Sequence, residues 1–443
     1  MDFLPQFGSF AFTMLAFIAA ISIIVAIHEY GHYIVGRWSG IRADVFSIGF
    51  GPVLLSRKDR RGTQWQIAAL PFGGYVKFAG DANAASVGAD AAVTPARNTM
   101  HGAPLWARAA TVVAGPLFNF ILSIAIFAGV VLVSGQATEE PRVGAPRDLP
   151  PVYQSLEAGD LILALEGQEI ESFAALLQIA SDLPPSPRVS YEVLRDDRAI
   201  LVEASAPLPP VVDGVQPQSA AMEAGLREGD VILAVNGADI WSFSQLRAAV
   251  DQAEGAPIDL TLWRANGTQE GQEIAVTLSP RRTDLPVASG GFETRYLIGV
   301  TGGMLFVPQT EAVGPLAALS YGVSQTGFII TSSLSGLWHM ITGAISTCNL
   351  QGPVGIAETS GAAAAQGIAS FIWLIAILST AVGLMNLFPI PILDGGHLML
   401  YAFEAVAGRK PPEMFMRVFM TVGLTLIMGL MVFAVFNDVL LCP

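Results

Sequence analysis

Four stretches of the chain stay apolar long enough to cross a bilayer: Phe7–Val35, Leu105–Ser134, Ile368–Phe388 and Met414–Phe436. The pattern changes between them. Residues 39–104 mix β-branched and polar positions with Gly-rich turns, which predicts a membrane-associated β-loop rather than a span. After the second stretch, "LEAGDLILALEGQEIESFAAL" (156–176) and "LREGDVILAVNGADIWSFSQL" (226–246) align without a gap at an offset of 70. In each copy a Gly-Asp turn feeds a short apolar strand, and the run after Phe243 has helical spacing. Asn236-Gly237 closes a tight hairpin turn in the second copy. Two copies are too few for a solenoid and predict two similar α+β domains, at 139–208 and 209–283. A linker follows over 284–364. Its segment 312–346 carries Ser, Thr and Gly throughout, so an amphipathic helix at the outer membrane–water boundary is expected rather than a fifth span. The fold class is therefore a polytopic α-helical membrane protein with spans in 1–38, 105–135, 365–400 and 414–437.

Charge orients these spans. Arg42, Arg57, Lys58, Arg60, Arg61, Lys77 and Arg97 lie between the first two, and Arg409 and Lys410 precede the fourth, so both loops are expected in the cytoplasm. The segment 139–364 has no lysine and holds 11 arginines against 27 acidic residues, although the whole chain nets only −14. Such a block excludes nucleic acid as a partner and fits an exported domain. The first span is expected to stay in place, because Asp2 stands where a signal peptide is basic and no small-residue cleavage site follows. Cys348 and Cys442 both fall on the outer side, where either a disulfide or two free thiols fits.

The first span also carries chemistry. In "AISIIVAIHEYGHYIVGRW" (20–38), His28 and His32 share one helix face, and Glu29 lies between them. Ionisable groups at membrane depth are costly and are usually functional. Two imidazoles one turn apart can hold one zinc ion while the intervening carboxylate takes a proton from water. Gly31 and Gly36 allow another backbone to approach closely. A third ligand is needed, and "MNLFPIPILDGGHLM" (385–399) offers Asp394, with His397 as its rival. Pro389 and Pro391 break the helix there, which membranes tolerate only at buried or cavity-lining backbone. Asn386, just before the break, could donate to a developing oxyanion. His339 reads as an interfacial residue. A metal transporter would need further ionisable groups in the second and fourth spans, which offer little beyond Asn119.

Two resemblances extend this reading. "AGLREGDVILAVNG" (224–237) resembles PDZ domains of bacterial proteases, which implies peptide or C-terminus binding, with Gly225, Leu226, Gly229 and Asp230 as candidate groove residues. "HEYGH", "NLFPIPILDGG", "GFGP" (49–52), "LPFGGYVKFAGD" (70–81), "AGPLFNFILS" (114–123) and "GPVGIA" (352–357) together resemble the site-2 protease family of intramembrane zinc metalloproteases. That resemblance implies zinc on His28, His32 and Asp394, Glu29 as catalytic base, and Asn386 as a support for substrate or transition state. It also implies a re-entrant loop around Gly49, Phe50, Gly51 and Pro52 that binds substrate. The expected setting is a bacterial inner membrane, with the two PDZ-like domains in the periplasm. The expected substrates are single-span membrane proteins, such as an anti-sigma factor, already shortened outside.

Overall fold

The computed structural model describes residues 3–81, 96–150, 153, 155–266, 271–286, 292–346, 348 and 351–441. They form two units, Met1–Val130 with Gly314–Pro443, and Val131–Val313. Among the described residues four helices are long and apolar enough to cross a membrane: Phe10–Trp38, Leu105–Ser134, Ile368–Leu387 and Met414–Val439. The first unit opens with α1 (Phe3–Trp38), followed by β1 (Ala43–Lys58) and β2 (Gln64–Phe78). These strands pair antiparallel with repeated register shifts, so Ser47 has partners on both sides, Gln66 and Tyr75. Bulges of this kind bend and twist a sheet. One end of the hairpin exposes Phe50, Val53, Leu54, Leu55, Ile67 and Leu70, an apolar tip better suited to lipid than to water. The other end is pinned to α1, where the Trp65 ring lies 5.0 Å from Tyr33 and 4.4 Å from Phe46. The Asp59 carboxylate accepts from the Arg61 and Thr63 backbone and from Trp65 Nε1, closing the turn. Next comes α2 (Leu105–Ser134), which contains Pro116.

The second unit shows the repeat as structure. Its first copy has β4 (Val143–Pro146), β5 (Leu161–Leu165), β6 (Gln168–Glu169), α3 (Phe173–Asp182), β7 (Val189–Arg195) and β8 (Arg198–Ala204), after a short β3 (Gln136–Ala137). The second has β9 (Val212–Val215), α4 (Ala220–Glu223), β10 (Val231–Val235), β11 (Ala238–Asp239), α5 (Phe243–Gln252), β12 (Ile258–Arg264) and β13 (Gln272–Leu278). Their sheets have matching orders, β6-β5-β7-β8 and β11-β10-β12-β13. The hairpin turns match too: Glu166-Gly167 and Asn236-Gly237 all have positive φ, the signature of the two-residue turn expected there. The Gly-Asp turn has a physical purpose. Asp160 and Asp230, each 1% exposed at the side chain, take bidentate hydrogen bonds from Arg195 and Arg264. Each also accepts a backbone N–H of its own turn, from Glu157 and Arg227. Burial opposes ionisation of Asp160, but the Arg195 fork and the Glu157 N–H outweigh it and hold its carboxyl below the usual range. The pair's contribution is thus present above about pH 4 and is lost as pH falls through the depressed value.

The expected boundaries at 208 and 283 are displaced. After β14 (Arg281–Pro286) and β15 (Phe292–Leu297), β16 (Val300–Gly302) pairs with β9 and completes the second copy. Then β17 (Phe306–Pro308) pairs with β4 and completes the first, and β18 (Thr310–Glu311) pairs with β3. The second copy is therefore nested inside the first. Leu305 and Phe306 sit in the first copy's core, which also takes in Val231 and Trp263 of the second. This closure spans well over a hundred residues and leaves no local sequence pattern, so alignment of the copies alone misplaces the ends.

The remainder returns to the first unit with α6 (Pro315–Ile341), α7 (Pro353–Ala365), α8 (Ile368–Leu387), α9 (Asp394–Ala407) and α10 (Glu413–Phe436). Along α6, Ala318, Gly322 and Thr326 are buried on one stripe, and Gly322 lies against the Ile124 backbone of α2. The Asp438 carboxylate caps α7 by accepting from Gly352, Val354 and Gly355 N–H groups. Cys348 is disulfide-bonded, and the chain's other cysteine, Cys442, lies outside the described residues.

Nested closure makes a direct prediction. A fragment of 139–208 should stay unfolded, whereas 131–313 should unfold as one cooperative transition in urea. Phe306→Ala should lower the stability of that longer fragment by about 3–5 kcal/mol. A folded 139–208 fragment would refute the nesting.

Candidate metal centre

α1 delivers His28 and His32 to one face, and α2 meets that face closely. Gly31 abuts the Ala114 backbone, with only 2.5 Å between a virtual Cβ and the Ala114 oxygen. Across the contact, a side chain at Gly115 would strike His32 Nε2 and come within 2.8 Å of His28 Cε1. Neither position admits anything larger. Pro116 follows immediately and withholds the N–H that the Val112 carbonyl would otherwise accept.

The third group arrives through the break after α8. Pro389 and Pro391 cannot continue the helical ladder, and Ile392 has φ +84°, a strained value for a β-branched residue. The chain restarts as α9 with Asp394 in its first turn. Gly395 and Gly396 are required there because a Cβ would meet the Leu387, Phe388 and Ile390 carbonyls. The break thus turns a carboxylate back toward α1.

His28 Nε2 lies 3.1 Å from His32 Nε2 and 3.1 Å from Asp394 Oδ2, and His32 Nε2 lies 3.5 Å from Asp394 Oδ1. Among the described residues this is the one group of three ligand atoms able to hold a metal ion. Two tests support the fit. Zinc bonds of about 2.0 Å at tetrahedral angles separate donor atoms by about 3.3 Å, which these spacings bracket. Asp394 Oδ2 is also buried, and the polar atom facing it, His28 Nε2, is itself a candidate ligand, as expected of an oxygen reserved for a cation. Three protein donors of types N, N and O leave one position for water, the pattern of a catalytic rather than a structural zinc.

Second contacts set the tautomers. His32 Nδ1 lies 2.8 Å from the Thr111 carbonyl and donates to it, which frees Nε2 for the metal. Asn119 is fully buried, with its side-chain amide 3.3 Å from His28 Nδ1 and its Oδ1 without a partner. A half-turn of that amide lets Oδ1 accept from His28 Nδ1–H and satisfies both groups. The Asn119 backbone carbonyl accepts from Ser123 and Ser379 hydroxyls, which fixes this part of α2 against α8. Thr111, Gly115 and Asn119 were not legible as site residues from motif spacing. The available signals were an asparagine in an otherwise apolar span and its place, with Gly115, in "AGPLFNFILS" (114–123).

A cavity of about 350 Å³ opens beside the three groups, lined by Glu29, Phe50, Gly74, Tyr75, Val76, Asn386, His397 and Tyr401 among others. Glu29 is next to Gly74 and lines the cavity together with Val76. One amide hydrogen of Asn386 is engaged by the Val382 carbonyl at 3.0 Å, leaving the other available. His397 lines the cavity but lies outside the converging group. Of Gly49–Pro52, Phe50 reaches the cavity and stacks on Tyr75 at 5.9 Å, whereas Gly51 and Pro52 are exposed. The strand along the cavity is Gly74–Val76. In the second unit, Leu226 belongs to the core and Asp230 to its buried ion pair, while the Gly225 carbonyl accepts from Arg264. Leu226 and Asp230 are thus framework residues, not groove-facing ones, because the turn they build needs them inside.

Comparison with known proteins agrees with this chemistry. Residues 16–430 match the model of the family described as Peptidase family M50. A protein of Agrobacterium fabrum named as a zinc metalloprotease is 34% identical over 437 residues, covering 96% of this chain and 95% of its own. A similarly named protein of Rhizobium meliloti is 34% identical, with 97% and 96% covered. The regulator of sigma-E protease RseP of Salmonella typhimurium is 30% identical over 461 residues, covering 97% and 99%.

Asn119→Ala should weaken zinc binding by roughly 10–100-fold while leaving the fold intact, as measured by chelator competition on purified protein. Unchanged affinity would remove Asn119 from the site.

Proposed function

The chain belongs to peptidase family M50, the site-2 protease family of zinc metalloproteases, and on that premise we propose that it cuts membrane-spanning segments of single-span proteins already trimmed on their outer side. The observation that carries this reading is the depth of the centre. His28, Glu29 and His32 lie inside one candidate span, and Asn386 ends another. A peptidase site placed there serves substrates that lie in the bilayer. The name of the Salmonella relative makes a membrane-bound anti-sigma factor the favoured substrate type, with remnant signal peptides a second. Basic loops favour the cytoplasmic side for the centre, and the acidic, lysine-free unit favours the periplasm.

His28, His32 and Asp394 would hold zinc, which when bound would supply Lewis acidity toward the scissile carbonyl and the attacking water. Glu29 takes the proton of the attacking water and passes it to the leaving amine. The free amide hydrogen of Asn386 steadies the developing oxyanion. A helical substrate shields its own peptide bonds, so the segment must be unwound first. The β2 edge at Gly74–Val76 would hold it extended by strand addition.

All of this machinery lies outside Val131–Val313, so the second unit is proposed as a filter that admits trimmed substrates. Peptide capture fits best on the edge of β16 beside Phe243, which packs on Gly302 at the head of α5. Because β3 pairs with β18, residues 136–311 can be excised between neighbouring ends.

The test compares full-length and pre-trimmed substrates in membranes. Wild type should cut only the trimmed form, and the 136–311 deletion should cut both. Glu29→Gln should cut neither while retaining zinc. Hydrolysis by Glu29→Gln would sink the mechanism; an inserted, zinc-loaded deletion protein that cuts neither form would sink the filter.

A further inference from the structure

α9 presents a mechanical problem. It carries Asp394 at its first residue, yet the break at 388–393 separates it from α8, so the rigidity of α8 cannot reach the carboxylate. The opposite end of α9 is anchored elsewhere. Glu404 receives two parallel hydrogen bonds from Arg108 of α2, Nη1 to Oε2 at 2.9 Å and Nη2 to Oε1 at 2.7 Å. Arg108 Nε donates to the Ala103 carbonyl at 3.1 Å, and its guanidinium lies 5.1 Å from the centroid of the Tyr401 ring. The side chains are 8% and 17% exposed.

We infer that Arg108 and Glu404 are positioning residues that clamp α9 to α2 and thereby set where Asp394 meets the two histidines. This rests on the reading of His28, His32 and Asp394 as the zinc ligands. Arg108 lies one turn before Thr111 on the helix that also carries Asn119, so one helix contacts His28 and His32 and holds the far end of α9. Glu404 stands ten residues beyond Asp394, about 15 Å along the axis. Over that lever a swing of about 5° shifts the carboxylate by about 1 Å, enough to spoil a coordination site. Leu398 and Tyr401 also pack against the buried cluster that includes Ala107 and Val112 of α2, but such contacts are non-directional. A planar guanidinium gripping both carboxylate oxygens fixes angle as well as distance. A buried ion pair is seldom kept for stability, since apolar replacements often do as well, and this separates the two roles experimentally.

The experiment uses full-length protein in detergent, with Arg108→Lys, Glu404→Gln and the apolar double variant Arg108→Met/Glu404→Leu. Zinc affinity is read by chelator competition, coordination by the visible spectrum of the Co²⁺-loaded protein, and stability by thermal unfolding of the zinc-free form. Both single variants should bind zinc roughly 10–100-fold more weakly and show shifted Co²⁺ bands. The double variant should recover thermal stability without recovering zinc affinity or the native spectrum. Native affinity and spectrum in the double variant would overturn the clamp and leave the pair a structural contact. Lowered stability in the single variants with unchanged zinc affinity would overturn it equally. Full zinc retention by Asp394→Ala would overturn the ligand assignment beneath it, and the clamp with it.

Discussion

Two imidazole nitrogens inside a helix apolar enough to cross a membrane face a carboxylate at about 3 Å. Without a cation between them that arrangement is unfavourable, because nitrogen lone pairs and a carboxylate oxygen are brought together away from water. A zinc ion held there would offset that cost with its own charge. Much around it follows from that requirement. Gly31 and Gly115 let α1 and α2 touch, the proline break turns Asp394 inward, and Gly395 and Gly396 make room for the turn. The strained Ile392 and the interrupted backbone fall where a bound metal would offset their cost.

The centre opens onto its cavity, and one wall of that cavity is a strand. Gly74–Val76 lies beside Glu29, the arrangement that the proposed strand addition and proton transfer require. The second unit contributes none of these groups. It is built as a rigid pair, with two buried Asp–Arg forks and a core shared between the copies. Nesting ties both ends of the inserted copy into the first, which suits the filter role proposed for this unit.

What the sequence revealed was local. His28, Glu29 and His32 lie within one helical turn, and Asp394 is flanked by prolines and glycines whose backbone effects are predictable. The repeat and its Asn236-Gly237 turn were legible for the same reason. Pairings between distant residues were not. Asn119 meets His28 across 91 positions and Arg108 meets Glu404 across 296, and neither leaves a periodicity. The β17 strand looks like the second copy's continuation until its partner β4 is known. Likewise Leu226 and Asp230 resembled groove residues because their motif marks the fold, not the binding surface.

X-ray absorption at the zinc edge of the purified full-length protein tests the central claim most directly. The account predicts two imidazoles and one or two further light donors at about 2.0–2.1 Å, with no sulfur. A third imidazole would bring His397 into the centre in place of Asp394, and a sulfur scatterer or fewer than two imidazoles would contradict the centre described for this chain.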